Sequence, residues 1–128
     1  MSEGPAGALV AIVEDDDAVR AVARGILQRH GYEVMEARGA AEALLASQRF
    51  PRRIDLLLSD VVMPQTSGPE LAKRLVAERP SMRVLFMSGY TDDSVVRHGL
   101  VGSSVAYLQK PLTPETVTRK VREVLDPK

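Results

Sequence analysis

The chain of 128 residues contains no cysteine, so it can form no disulfide, thiolate metal site or thiol nucleophile. It has no excess of either charge, with 17 basic and 17 acidic residues, so bulk charge favours neither a nucleic acid nor a membrane surface as a partner. No apolar run approaches the roughly 20 residues that span a bilayer. The first eight residues lack the basic start and long apolar core of a signal peptide. These absences predict a cytoplasmic globular domain without membrane insertion.

Residues 9–126 are predicted to form one domain, preceded by a loose lead-in at residues 1–8. A chain of this size buries about two-thirds of its unfolded surface and needs no cross-links. No repeat, low-complexity tract or long linker divides it. Five short apolar runs predict buried strands, at residues 9–13, 33–37, 56–60, 83–88 and 105–109.

A helical pattern of apolar residues follows each predicted strand, and the fourth of these helices, at residues 92–99, is short. The helix at residues 40–49 is predicted to turn three side chains inward: Ala41, Leu44 and Leu45. Gly31 suits a left-handed residue just after a helix, and Ser67 with Glu70 predicts a capping box. Strands that alternate with helices predict an α/β fold of three layers, with a five-stranded parallel sheet between five helices.

Charged and polar side chains stand at the ends of four predicted strands. Glu14 and Asp15 follow the first strand, Asp60 ends the third, Ser88 ends the fourth and Lys110 follows the fifth. Taken singly, each has an ordinary explanation as a helix cap, a turn residue or a surface lysine. In open parallel sheets, however, ligands bind at the carboxyl ends of the strands. The joint occurrence therefore favours a functional site.

The expected site contains more negative than positive charge. Carboxylates about 4 Å apart repel by about 4 kcal/mol per pair at an effective dielectric constant of 20. Lys110 can offset one charge, and a hard divalent cation such as Mg²⁺, for which Mn²⁺ can substitute, can offset the rest. Lys110 and the Ser88 hydroxyl can also bind phosphate oxygens. A carboxylate in this setting can be a nucleophile, which predicts Mg²⁺-dependent phosphoryl transfer to Asp60.

Four segments together resemble the receiver domain of two-component signalling, the phosphoacceptor domain of response regulators and hybrid histidine kinases. They are Ile12-Val13-Glu14-Asp15-Asp16, Ser59-Asp60-Val61-Val62-Met63-Pro64, Met87-Ser88-Gly89-Tyr90 and Tyr107-Leu108-Gln109-Lys110-Pro111. The resemblance implies a doubly wound, flavodoxin-like fold with strand order 2-1-3-4-5. The segments Ser88-Gly89-Tyr90 and Gln109-Lys110-Pro111-Leu112-Thr113-Pro114-Glu115 resemble receivers fused to the C-terminus of hybrid histidine kinases. The chain is expected to be either a stand-alone receiver or one cut from a longer protein.

The resemblance implies a role for each acidic residue. Asp60 is the phosphorylated aspartate and also a metal ligand. Asp15 binds Mg²⁺ directly, Glu14 helps through water, and the backbone carbonyl of Val62 is a further ligand.

The resemblance also implies roles on the phosphoryl side of the site. Ser88 bonds the phosphoryl group, and Gly89 leaves room for the donor. Lys110 binds the phosphoryl group from a cis Lys110–Pro111 bond. Ser88 and Tyr107 form the switch that alters the face made by the helix at residues 92–99, the fifth strand and the last helix.

The implied phosphoryl donor is a phosphohistidine on a histidine kinase or a histidine phosphotransfer domain. No direct binding of nucleic acid is expected, a weak homodimer is allowed, and the domain is expected not to be an enzyme for an external substrate. One alternative is a degenerate receiver that only binds proteins, and another is a small aspartyl-phosphate phosphatase. Such a phosphatase usually has a second aspartate two residues after the nucleophile, where this chain has Val62. A flavin protein of the same architecture is disfavoured because acids after the first strand would repel a flavin phosphate.

Overall fold

A computed structural model of the chain describes residues 7–63, 65–89 and 106–126. A five-stranded parallel sheet with strand order β2-β1-β3-β4-β5 forms its centre, as predicted. The strands are β1 (Leu9–Val13), β2 (Glu33–Ala37), β3 (Leu56–Asp60), β4 (Arg83–Ser88) and β5 (Ala106–Gln109).

Helices cover both faces of the sheet, which confirms the three-layer α/β fold. The described residues contain four: α1 (Asp17–Arg29), α2 (Ala40–Arg49), α3 (Gly68–Glu78) and α4 (Pro114–Leu125). The helix predicted at residues 92–99 lies outside the described residues. Within the described ranges, none of the helices combines the length and apolar character needed to cross a membrane.

The central strands have no polar face because each lies between two helical layers. Every residue of β1 and of β3 is buried. Val10 and Ile12 pack with α1 and α4, whereas Ala11 and Val13 pack with α2 and α3. Burial on both faces explains why the sequences of these strands are nearly continuous apolar runs.

Side-chain caps fix where the helices begin. Asp16 accepts hydrogen bonds from the backbone of Ala18 and Val19 at the start of α1. Ser67 accepts one from the Glu70 amide at 3.2 Å, the N-cap half of the predicted capping box. Gly31 has φ +88°, the left-handed conformation predicted just after α1. The caps at Asp16 and Ser67 hold the loops at the carboxyl edge of the sheet in fixed places.

The prediction for the inward face of α2 is wrong for two of its three residues. Ala41 is exposed and Leu45 is 50% exposed, while Leu44 is only partly buried. The buried residues are Ala43 and Ser47. The spacing of apolar residues gave the wrong face of α2 because a serine is buried there. Its hydroxyl accepts a hydrogen bond from an arginine that is distant in the sequence.

That arginine is Arg79, which follows α3 and connects it to the end of α2. Its Nε donates to Ser47 Oγ at 2.8 Å, and its terminal nitrogens donate to the backbone carbonyls of Ser47, Phe50 and Arg52 at 2.8 to 2.9 Å. A cation at these carbonyls also complements the negative end of the α2 dipole.

We expect Arg79→Met to lower the free energy of unfolding by about 2 to 3 kcal/mol, because several carbonyls would lose a charged donor. Urea unfolding at pH 7 measures the change. Arg74→Met on the exposed side of α3 is the matched control and should be nearly neutral. Equal stability of the two variants would contradict the assignment of Arg79.

Candidate functional site

Lys110 joins the ends of three strands at the carboxyl edge of the sheet. Its Nζ lies 2.7 Å from Glu14 Oε1 and 3.5 Å from Asp60 Oδ2. Its backbone amide donates to the carbonyl of Ser88 at 2.8 Å, and the Lys110–Pro111 bond is cis, as predicted. The structure therefore brings the lysine to both acids.

An open cleft of about 630 Å³ lies over these residues. It is lined by Glu14, Asp15, Asp16, Asp60, Val62, Met63, Gly89 and Lys110. Ser88 is buried at the end of β4, next to Gly89. Tyr107 is exposed on β5 and does not line the cleft. Apart from Tyr107, the predicted site residues thus lie in or beside one cleft.

Asp60 ends β3 and is 6% exposed. Its carboxylate accepts a hydrogen bond from the backbone amide of Val62 and faces Lys110. Burial raises the pKa of Asp60, the Lys110 charge opposes this, and the nearby Asp15 adds to the rise. The ionised carboxylate is therefore held in the fold at a cost in free energy.

Glu14 is 1% exposed, and both of its carboxylate oxygens and its backbone amide form hydrogen bonds. Oε1 bonds to Lys110, and Oε2 accepts from the Asp16 amide at 3.0 Å. The Glu14 amide donates to the carbonyl of Ala37 at 3.1 Å. Burial raises the pKa of Glu14, and the hydrogen bond from Lys110 opposes the rise.

Lys110 remains the cation of this cluster. Burial by itself would lower the pKa of Lys110, but the hydrogen bond to Glu14 and the charge of Asp60 raise it overall. One ammonium thus contacts the carboxylates of Glu14 and Asp60, and an oxygen of Asp15 lies within 4.8 Å of theirs.

The donor set fits a hard divalent cation. Oxygen atoms of Glu14, Asp15 and Asp60 lie within 4.8 Å of one another, and the cleft opens on them. Both Glu14 oxygens already accept hydrogen bonds, so Asp15 and Asp60 are the carboxylates best placed for direct contact. Oxygen-only ligands beside open space are typical of Mg²⁺ sites.

Gly68 contacts Asp60, a feature that the sequence analysis missed. A Cβ at Gly68 would lie 2.1 Å from the Asp60 carbonyl oxygen and 3.2 Å from Ser59 Oγ. Ser59 Oγ donates to the same carbonyl at 3.0 Å, and the Gly68 amide donates to the carbonyl of Val61 at 2.9 Å. The first turn of α3 therefore rests on the backbone of Asp60. A glycine just after a helix cap was the only signal in the sequence.

The structure is thus a doubly wound α/β domain with clustered carboxylates and a lysine at the carboxyl edge of its parallel sheet. The family model described as the response regulator receiver domain matches residues 10–122. The chain belongs to this family.

Individual relatives agree with the family. The sensor kinase CckA of Brucella abortus is 36% identical over 119 residues, which are 93% of this chain and 13% of that protein. A crystal structure of the receiver domain from a hybrid histidine kinase CckA has a TM-score of 0.77 and 37% identity, covering 92% of this chain and 99% of that one. The chemotaxis response regulator CheY4 of Vibrio cholerae has a TM-score of 0.80 and 30% identity, covering 93% and 99%. The chain spans only a small part of the kinase that it matches.

Proposed function

We propose that this domain accepts a phosphoryl group on Asp60 from a phosphohistidine of a partner histidine kinase or phosphotransfer domain, in the cytoplasm. The observation that carries the proposal is the placement of Lys110 between Glu14 and Asp60 at the bottom of an open cleft. Membership of the receiver family and the similarity to a sensor kinase support the choice of donor.

In the proposed reaction an oxygen of Asp60 attacks the phosphorus atom. A P–O bond forms, the P–N bond to the donor imidazole breaks, and the imidazole leaves with the electron pair. The Lys110 ammonium stabilises the negative charge that develops on the phosphoryl oxygens, and the Ser88 hydroxyl donates a hydrogen bond to one of them. Asp15 and Asp60, with the help of Glu14 and the Val62 carbonyl, would hold Mg²⁺, which would supply further charge neutralisation. The phosphoryl group stays on this chain, so no external substrate is turned over.

The partner would approach over a groove beside Lys110. This groove has a volume of about 210 Å³ and is lined by Ala18, Val19, Val22, Lys110, Pro111 and Leu112. Val22 is about half exposed although it belongs to the apolar stripe of α1. An apolar rim next to the lysine suits a helix of the partner that carries the phosphohistidine. The neutral net charge of the chain gives no support for direct binding of nucleic acid.

Phosphorylation would be transmitted to the exposed side of β5. It adds about −1.5 to −2 charges at Asp60, which draws Lys110 and Ser88 towards the new oxygens. The Lys110 amide bonds to the Ser88 carbonyl, so the ends of β4 and β5 move together. Tyr107 on β5 is the exposed aromatic residue that would report this movement.

Incubation with Mg²⁺ and acetyl phosphate tests the proposal. We expect intact-mass spectrometry to find one added phosphoryl group, and EDTA to prevent its addition because the carboxylates are then not neutralised. Amide NMR shifts of the phosphorylated sample should reach Tyr107. A chain that gains no phosphoryl group under these conditions contradicts the proposed function.

Val62 is expected to slow loss of the phosphoryl group, because this branched hydrocarbon lies at the rim of the cleft and cannot orient a water molecule. Val62→Asn should speed dephosphorylation about tenfold, or about 1.4 kcal/mol in barrier. Phosphate release after removal of acetyl phosphate measures the rate. Leu45→Asn, at an exposed leucine on α2, is the control and should leave the rate unchanged. Equal rates for all three proteins would mean that Val62 does not control access of water.

A further inference from the structure

Arg20 on α1 contacts three elements around the acidic loop with a single side chain. Its Nη1 donates to the backbone carbonyl of Glu14 at 2.8 Å. Its Nε donates to Glu36 on β2 at 3.2 Å, and its Nη2 pairs with Asp17 at the start of α1. The side chain is 12% exposed, and its bond to the Glu14 carbonyl is partly buried. A planar guanidinium can make all three bonds at once because its donors point in fixed directions.

The bond to the Glu14 carbonyl orients the next residue. That carbonyl belongs to the same planar peptide unit as the amide of Asp15. Fixing it therefore fixes the direction in which the chain enters Asp15. The Asp15 side chain is exposed and is not fixed by packing, so the backbone sets the position from which its carboxylate reaches the site. The amide side of Glu14 is held separately by the Ala37 carbonyl.

We infer that Arg20 is a positioning residue that holds Asp15 in place for the divalent cation opposite Asp60. This inference rests on the proposed function, because it assumes that Asp15 and Asp60 bind Mg²⁺. Arg20 itself touches neither the cation nor the phosphoryl group. It acts through the Glu14–Asp15 peptide, and its bonds to Glu36 and Asp17 keep the guanidinium in place.

The charge of Arg20 and its proposed positioning role predict opposite effects of one substitution on Mg²⁺ affinity. Arg20→Gln removes a positive charge near the acids, and electrostatics alone would then strengthen Mg²⁺ binding. If Arg20 positions Asp15, the same change should weaken Mg²⁺ binding. Loss of groups that orient metal ligands typically costs about 10- to 100-fold in metal affinity, and we expect about 10-fold here because the loop keeps its other bonds.

Arg20→Lys is the second variant, because it keeps the charge but cannot reproduce the three bonds. Arg24→Lys is the matched control. Arg24 also pairs with Glu36, at 3.1 Å, and the contacts found for it do not include the Glu14 carbonyl. Arg20→Lys should weaken Mg²⁺ binding several-fold, whereas Arg24→Lys should change it by less than about twofold.

The test is a titration of the 128-residue chain and of each variant with MgCl₂. Calorimetry and the amide NMR shifts of Asp15 and Asp60 measure the binding. Thermal unfolding without metal shows whether each variant folds, and a variant that does not fold leaves the other to decide. Weaker Mg²⁺ binding by the Arg20 variants alone supports the inference. Unchanged or tighter binding in Arg20→Gln overturns it, as does equal weakening in Arg24→Lys. Failure of the wild-type chain to bind Mg²⁺ would instead contradict the metal site of the proposed function.

Discussion

Asp60→Asn is expected to gain no phosphoryl group from acetyl phosphate and Mg²⁺, at any time at which the wild-type chain is phosphorylated. The amide lacks the negative charge of the nucleophilic oxygen, and the substitution also removes one of the three clustered carboxylates that could hold the cation. Intact-mass spectrometry measures the outcome. Asp126→Asn, at the exposed end of α4, is the control and should be phosphorylated normally. The same added mass on Asp60→Asn would place the phosphoryl group on another residue.

The same substitution should stabilise the metal-free fold at neutral pH. Burial raises the pKa of Asp60, so the ionised carboxylate is less stable in the folded chain than in the unfolded one. Asparagine has nearly the same shape without the charge. We expect the free energy of unfolding to rise by roughly 1 to 2 kcal/mol. Two carboxylates in close contact would repel by ~4 kcal/mol, but Lys110 already offsets part of the repulsion between Asp60 and its acidic neighbours.

The gain in free energy of unfolding that Asp60→Asn gives over the wild-type chain should decrease as the pH falls. Above the raised pKa of Asp60 the carboxylate is ionised in both states, and the folded wild-type chain bears the full cost. As the pH falls through that raised pKa, the folded state takes up the proton first and the cost decreases. Below the ordinary aspartate pKa the two proteins should be equally stable. Urea unfolding across this pH range in EDTA measures the difference, and a gap that widens towards acid would contradict the assignment.

Gly68→Ala is expected to lower the free energy of unfolding by about 3 kcal/mol and to slow phosphorylation about 100-fold. The new Cβ would lie 2.1 Å from the Asp60 carbonyl oxygen, which is backbone and cannot rotate away. Either α3 or the end of β3 must then move. Movement of β3 carries Asp60 away from Lys110, and a misplacement of about 1 Å can cost about 100-fold in rate.

Gly25→Ala is the matched control for this substitution. Gly25 lies in the middle of α1, and apart from its chain neighbours and the backbone of its own helix, an added Cβ would meet no described atom within 4 Å. Since alanine favours a helix more than glycine does, this variant should gain roughly 0.5 to 1 kcal/mol and keep its phosphorylation rate. Urea unfolding and the time course with acetyl phosphate measure both variants. A Gly68→Ala protein that behaves like Gly25→Ala would mean that the contact with Asp60 is unimportant.

The sequence predicts the sheet well because two-sided burial leaves a strong local signal. The apolar runs that form β1 and β3 are found where they were predicted, at Leu9–Val13 and Leu56–Asp60. Convergence of Asp60 and Lys110 follows from topology, since parallel strands end at a common edge. The polar residues at that edge could therefore be grouped before any coordinates were known.

Contacts between distant side chains explain what the sequence analysis missed. Ser47 is buried in α2 because Arg79, 32 residues later, donates to its hydroxyl. Gly68 is required by the backbone of Asp60, and the bond from Arg20 to the Glu14 carbonyl involves no partner side chain that a motif could reveal. Such contacts depend on how the elements pack, and periodicity within one element does not contain that information.

The ion pair between Lys110 and Glu14 also has a consequence for biosynthesis. The two residues are 96 positions apart, and Lys110 follows the last strand of the sheet. During translation the acids of the first loop leave the ribosome long before the lysine does. A nascent chain that lacks β5 contains Asp60 but not the cation that completes its surroundings. The proposed phosphoryl transfer to Asp60 therefore requires that synthesis of the domain be almost finished.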